Sequence, residues 1–226
     1  MIARLAAAGA MIVAVPAAAD PLQERVLAGM KASDTGNVAF EQTTRIERTG
    51  AKATEIITRY DPRNPARWTV VRIDGRAPTA KETTDIVKAA TRSPTPSYAR
   101  MARWFGAKTT RVAEAPGHVT YRFAGLPKSI VMMGKHDGSA DTVADAVVNT
   151  SGPTPYVERV RFTSSKPFRM MLIAKVDRYV IAASYAPLPD GRLFPSATDS
   201  DIAGSLMGKA GNIRTRSRYA GMQAGR

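Results

Sequence analysis

Val38-Ala-Phe-Glu-Gln-Thr-Thr-Arg-Ile-Glu-Arg48 repeats with a period of two. Val38, Phe40 and Ile46 share a face with Gln42 and Thr44, and Glu41, Arg45 and Glu47 take the other. That alternation is the signature of a strand with one buried face. Thr49-Gly50-Ala51 is a turn signal, and 53–60 resumes the alternation with Thr54, Ile56, Thr58 and Tyr60 on one side. The two runs form a hairpin. After the loop Asp61-Pro-Arg-Asn-Pro65, residues 66–73 make a third strand that ends at Asp74-Gly75.

On the N-terminal side, 20–32 reads as a helix. Asp20 suits the cap, Pro21 the first helical position, and Leu22, Val26, Leu27 and Met30 form one stripe. On the C-terminal side, Thr79-Ala-Lys-Glu82 is a capping box opening a helix over 79–91. Ser93-Pro-Thr-Pro96 breaks it, and a short helix follows over 97–105, with Gly106 as its C-cap. Strand patterning returns at 108, where Val119, Tyr121 and Phe123 alternate with polar residues. The stretch 141–149 fits helix or strand. Further strands are expected at 156–163, 168–175, 178–187, 192–207 and 212–219. A helix, three strands, a helical insertion and about six more strands predict an α+β fold. Its core would be a large curved antiparallel sheet, a half-barrel, with helices on the concave face or at the mouth.

The first nineteen residues differ from the rest. One basic residue, Arg4, precedes an apolar run from Leu5 to Val15, and Pro16-Ala-Ala-Ala19 precedes Asp20. This is the form of a secretory signal cleaved after Ala19, too short for a membrane span, and it predicts a periplasmic protein. The mature domain would then be 20–226, without internal repeats. The chain has 226 residues, no Cys and a formal charge of +14. Disulfides, thiolate zinc sites and Cys nucleophiles are therefore excluded. So basic a chain meets polyanions, and in an envelope those are acidic lipids or polymers. No zinc-finger, RNP or basic recognition-helix pattern points to nucleic acid.

Val38-Ala-Phe40-Glu-Gln42, opening the first strand after an N-terminal helix, resembles the periplasmic outer-membrane lipoprotein carrier and sorting proteins. Trp68-Thr-Val-Val-Arg-Ile-Asp-Gly-Arg76 with Pro78, Thr79 and Glu82, then Lys166-Pro-Phe-Arg169 and Gly204-Ser-Leu-Met-Gly208, is similar to secreted proteobacterial proteins of unassigned activity. The carrier resemblance implies a half-barrel whose concave apolar face holds acyl chains.

Reactive chemistry is sparse. The histidines are His118 and His136, the latter beside Asp137 in a turn-like stretch. No nucleophile elbow occurs, and Gly204-Ser-Leu-Met-Gly208-Lys209-Ala210 lacks phosphate-loop spacing. A strand glycine there argues for close backbone approach. Asp199 and Asp201, one pleat apart, fit a polar strand edge better than a cation site. No catalytic residue, metal site or cofactor is predicted.

Three groups remain as candidates. Phe40, Ile46, Ile56, Tyr60, Trp68, Val70, Tyr121, Phe123, Phe162 and Ile173 would line one concavity, either a ligand cavity or an ordinary core. Tyr98, Met101, Trp104 and Phe105, beside Arg100 and Arg103, suit a lid or membrane interface, or an insertion docked on the sheet. Arg214, Arg216 and Arg218 share one face of the last strand, either to meet an anionic surface or to protect an edge. The sequence thus favours a non-enzymatic binder of an amphipathic, lipid-like ligand. Its partners would be a lipid, a lipoprotein or an anionic envelope component, with peripheral membrane contact. An envelope interaction module with a filled core is the second reading, and a hydrolase with dispersed carboxylates the third.

Overall fold

The computed structural model describes residues 20–33, 38–92, 95–171 and 174–224. The leader read at 1–19 and the candidate Ile173 lie outside them. Helix α1 (Pro21–Ala32) is followed by strands β1 (Val38–Arg48), β2 (Thr54–Tyr60) and β3 (Trp68–Ile73). Helix α2 (Ala80–Arg92), a 3-10 turn at Ala99–Met101 and α3 (Ala102–Phe105) form the insertion. Then come β4 (Thr110–Ala115), β5 (His118–Ala124), β6 (Met132–Met133), β7 (His136–Asp137), β8 (Thr142–Asn149) and β9 (Tyr156–Ser164). The chain ends in β10 (Phe168–Met171), β11 (Ala174–Pro187), β12 (Leu193–Leu206) and β13 (Lys209–Ala224).

Eleven strands form one antiparallel sheet in the order β3-β2-β1-β13-β12-β11-β9-β8-β5-β4, with β10 paired to β11. The architecture is α+β, and the sheet stays open, because β3 and β4 are its ends. Register shifts in the β1–β13, β2–β3, β4–β5, β8–β9 and β11–β12 pairs bend the strands. One ring contact measures the curvature. Phe40 on β1 and Phe194 on β12 are separated by β13, a spacing of ~10 Å across flat strands. Their ring centroids are 5.3 Å apart, so side chains converge on the inner face.

Several expectations are corrected here. Of the stretch left open between helix and strand, 142–149 is strand β8, with Thr142, Ala144, Ala146 and Val148 buried and their neighbours half-buried, while Asp141 ends a 3-10 turn. The edge-strand reading of the last strand fails, because β13 pairs with β1 on one side and β12 on the other. Six strands after the insertion become eight in the main sheet, plus the β6–β7 ladder.

The main core lies where α1 and the insertion cover β5, β8, β9 and β11. Leu22, Val26 and Met30 of α1 are buried together with Tyr98, Trp104, Phe105, Tyr121 and Phe123. Asp20 fastens this layer. Its carboxylate caps α1 by accepting from the Leu22 amide at 2.9 Å. The same carboxylate accepts from Arg111 Nε at 2.6 Å and from the Tyr121 hydroxyl at 2.8 Å. Arg111 above all holds the Asp20 carboxyl well below the usual range, while burial pushes the Tyr121 phenol up to about 12. Gln23 Nε2 donates to the Phe105 carbonyl at 2.6 Å and ties α1 to the end of α3. A second, smaller core gathers Val38, Phe40, Tyr60 and Phe194 against Trp68 and Tyr219.

Candidate functional site

The inner face divides into a filled half and an open half. In the filled half Trp104 meets Phe123 edge-on at 5.0 Å and Phe162 at 5.5 Å, and Phe105 lies 5.4 Å from Phe123. Phe105, Tyr121 and Phe123 are fully buried. Tyr98 accepts a 2.8 Å hydrogen bond from the Val157 amide. Tyr98, Met101, Trp104 and Phe105 are therefore docked on the sheet and leave no aromatic belt in solvent.

The open half spans β1–β3, β12 and β13. Alternation aims Gln42, Thr44, Ile56, Thr58, Trp68, Ser217 and Tyr219 at the same side. A cavity of about 390 Å³ lies between this floor and α2, whose Ile86, Ala89 and Ala90 form the roof. A second cavity of about 360 Å³ adjoins it and shares Pro96 and Tyr219. Its walls include Arg100, Arg103, Trp104, Phe162 and Tyr185. Each volume falls in the range of small-molecule pockets, ~300–1,000 Å³.

Helix α2 is amphipathic yet has no buried residue. Ile86 and Ala90 are only partly buried over the cavity, and Val87 is likewise partly buried beside a neighbouring one. The helix is stable locally for other reasons. Glu82 receives Arg76 through both oxygens at 2.6 and 2.9 Å and the Thr79 amide at 2.8 Å. These contacts, Arg76 first, hold the Glu82 carboxyl down to about 2. The helix is thus fixed at its start and lies over the sheet with its apolar stripe only partly buried.

The floor is mixed. Gln42 Nε2 donates to Ser217 Oγ at 3.2 Å, and Thr44 and Ser217 hydroxyls lie 3.0 Å apart. Apolar walls with a short polar ladder suit an amphipathic occupant. Among the described residues no carboxylate or histidine lines either cavity.

The candidates drawn from sequence separate accordingly. Ile56 and Trp68 line the cavity under α2, and Phe162 lines its neighbour. Tyr60 and Trp68 border a third cavity of about 280 Å³ at the loop before β3. Phe40, with Tyr60, reaches a further one of about 350 Å³ beside Arg59. Ile46 and Val70 are half-buried on the inner face but line none of these, and Tyr121 and Phe123 belong to the filled core. The single ten-residue concavity is thus two environments. Sequence reasoning passed over Ile86, Ala89, Ala90, Tyr185 and Tyr219. The narrow Ile86–Ala90 stripe behind a capping box was the available signal.

Arg214, Arg216 and Arg218 point outward. Arg214 pairs with Asp201 at 3.0 Å, Arg216 with Glu47 at 3.5 Å and Arg218 with Asp199 at 2.8 Å. His118 and Glu158 meet at 3.1 Å on the exterior, and His136 stacks on Phe168 at 3.9 Å. Gly204 lies flat on β11, where a Cβ would collide with the Lys175 carbonyl. Among the described residues no cluster of His, Asp and Glu has the makings of a metal site.

The chain is similar to a solved structure. It is the crystal structure of a LolA superfamily protein from Nitrosomonas europaea, at 9% identity. The match covers 92% of this chain and 95% of that one, with a TM-score of 0.35. No family model matches the sequence, and no curated protein matches it.

Proposed function

We propose that this protein is a non-enzymatic periplasmic binder or carrier of an amphipathic, lipid-like molecule held between α2 and the inner face of β1–β3, β12 and β13. The carrying observation is the only partly buried apolar stripe of α2 roofing a cavity of about 390 Å³. An acyl chain in that space would bury both surfaces and gain ~25 cal/mol for each Å² removed from water. The Gln42–Ser217–Thr44 ladder would meet ester or hydroxyl groups. Among the described residues, every carboxyl group whose affinity for protons is shifted is shifted downward by hydrogen-bond donors, first Arg76 at Glu82, the Ser139 hydroxyl at Asp137 and the Asn212 amide at Asp201. A general acid wants the opposite shift, so the hydrolase reading draws no support from them. The leader form at 1–19 supports a periplasmic setting, and no helix of the described residues is long and apolar enough to cross a membrane.

Contact with an anionic membrane would run through the β12–β13 tip. Leu206 is 57% and Met207 74% exposed there. The tip's Met207-Gly208 pair has φ of 51° and 77°, a turn that ordinarily selects Asn-Gly. An apolar residue kept at positive φ in solvent costs stability without a packing gain. Lys209, Lys175 and Arg48 border the adjacent hollow.

The test is mass spectrometry of organic extracts from mature protein purified gently from its native envelope. A stoichiometric lipid, absent from a control protein of similar charge, is expected. A clean extract, with no binding of monoolein or oleate by the purified protein, overturns the proposal in favour of the interaction module.

A further inference from the structure

Arg100 and Arg103, on the insertion, face a cavity instead of a carboxylate. Arg214, Arg216 and Arg218, with Arg122 and Arg111, each meet a carboxylate within 3.5 Å. Arg100 and Arg103 stand three residues apart on one turn of the insertion, so they share a face, and both line the 360 Å³ cavity. Among the described residues no carboxylate lines that cavity, and neither guanidinium forms an ion pair. Partial burial and then the charge of Arg103 push the Arg100 guanidinium down from its usual range. Two like charges, both reaching solvent, thus line one hollow with no carboxylate partner among the described residues. Arginine forks match the planar oxygens of phosphate and carboxylate, and such charge-assisted bonds are the strong ones.

We infer that Arg100 and Arg103 form an anion subsite at the end of the groove and select amphiphiles carrying a phosphate or carboxylate head. This inference rests on the groove reading for its acyl portion. The chain would lie under α2 against Trp68 and Tyr219, and Pro96 and Tyr219, common to both cavities, mark the passage to the head site. Thr198 and Tyr185 add hydroxyl groups near that end.

The experiment compares four probes on the mature protein by tryptophan fluorescence: oleate, oleoyl lysophosphatidate, neutral monoolein and inorganic phosphate. The proteins are wild type, R100Q/R103Q and the outer-face control R218Q. Circular dichroism and thermal melting show that each variant folds. Wild type and R218Q are expected to bind the anionic amphiphiles about tenfold more tightly than monoolein, the discrimination of one or two charge-assisted contacts. R100Q/R103Q should lose that preference while keeping its affinity for monoolein. Equal preference in wild type and a folded double variant overturns the anion subsite and leaves the groove standing. Saturable phosphate binding lost in R100Q/R103Q, with no amphiphile bound by any protein, supports the arginine site as one for free anions and overturns the groove. Absence of binding by all four probes overturns both.

Discussion

Ile86→Ala separates a cover from a core. Ile86 is partly buried on α2 and faces a hollow that already exists. Losing three carbons at ~0.8 kcal/mol each would cost ~2.4 kcal/mol if fully buried. About two thirds of that is realised in the ligand-free protein, since Ile86 is at most about a third exposed, and no new cavity penalty arises. Alanine returns a few tenths of a kcal/mol in helix propensity. The expected loss of stability is therefore ~1 kcal/mol, read as a shift in urea midpoint at unchanged slope. The remaining third, ~0.8 kcal/mol, is realised only when a chain fills the hollow, so monoolein affinity should fall about fourfold. Phe105→Ala is the reference. Phe105 is fully buried against Tyr121 and Phe123, and its truncation should cost about 3–5 kcal/mol. A loss of 3 kcal/mol or more in Ile86→Ala with unaltered binding would mean that α2 is core and would refute the reasoning.

Other substitutions probe other parts of the fold. Asp20→Asn removes the charge from a carboxylate whose folded pKa is depressed. Its stabilisation is full above the ordinary Asp range near ~4 and is lost as pH falls through that range toward the folded value. Wild type should therefore lose its advantage over Asp20→Asn between about pH 5 and pH 2 in denaturation midpoints, and a constant gap would contradict the assignment. Gly204→Ala forces a Cβ into the Lys175 carbonyl and should lower stability by at least ~1–3 kcal/mol; an unchanged melting temperature would show that β11 and β12 do not approach so closely. Met207→Asn should stabilise the turn by about 0.5–1 kcal/mol while reducing sedimentation with vesicles of anionic lipid. Undiminished vesicle binding would remove the tip from membrane contact.

Legibility followed the distance between interacting residues. The hairpin over 38–60 was readable because its turn and alternation are local, and so were the Asp20 cap and the Thr79–Glu82 box. The strand at 142–149 was not, because its buried positions are the small Ala144 and Ala146. Those are paired with Phe123 and Tyr121, and the pairing of small with large appears only once β5 lies beside β8. The central place of β13 was equally hidden. Thr44 faces Ser217 and Ile46 faces Thr215, partners some 170 residues apart, and no local pattern encodes that choice. The arginine stripe was visible, but Asp199, Asp201 and Glu47, its counter-charges, come from two other strands.

The neighbourhood of β1 and β13 also sets an order of assembly. β1, β2 and β3 attach to the rest of the sheet only through β13, the last strand of the chain. During synthesis their hairpin edge has no partner until Lys209–Ala224 emerges, and contacts so distant in sequence form slowly. The roof and most of the floor are neighbours in sequence, but the groove is completed late, when β13 brings Tyr219 to it. A chain threaded through a translocon in extended form would lose nothing by this delay. Its hollow would first exist on the side of the membrane where the whole chain has arrived, so it would be empty of any hydrophobic cargo from the compartment of synthesis.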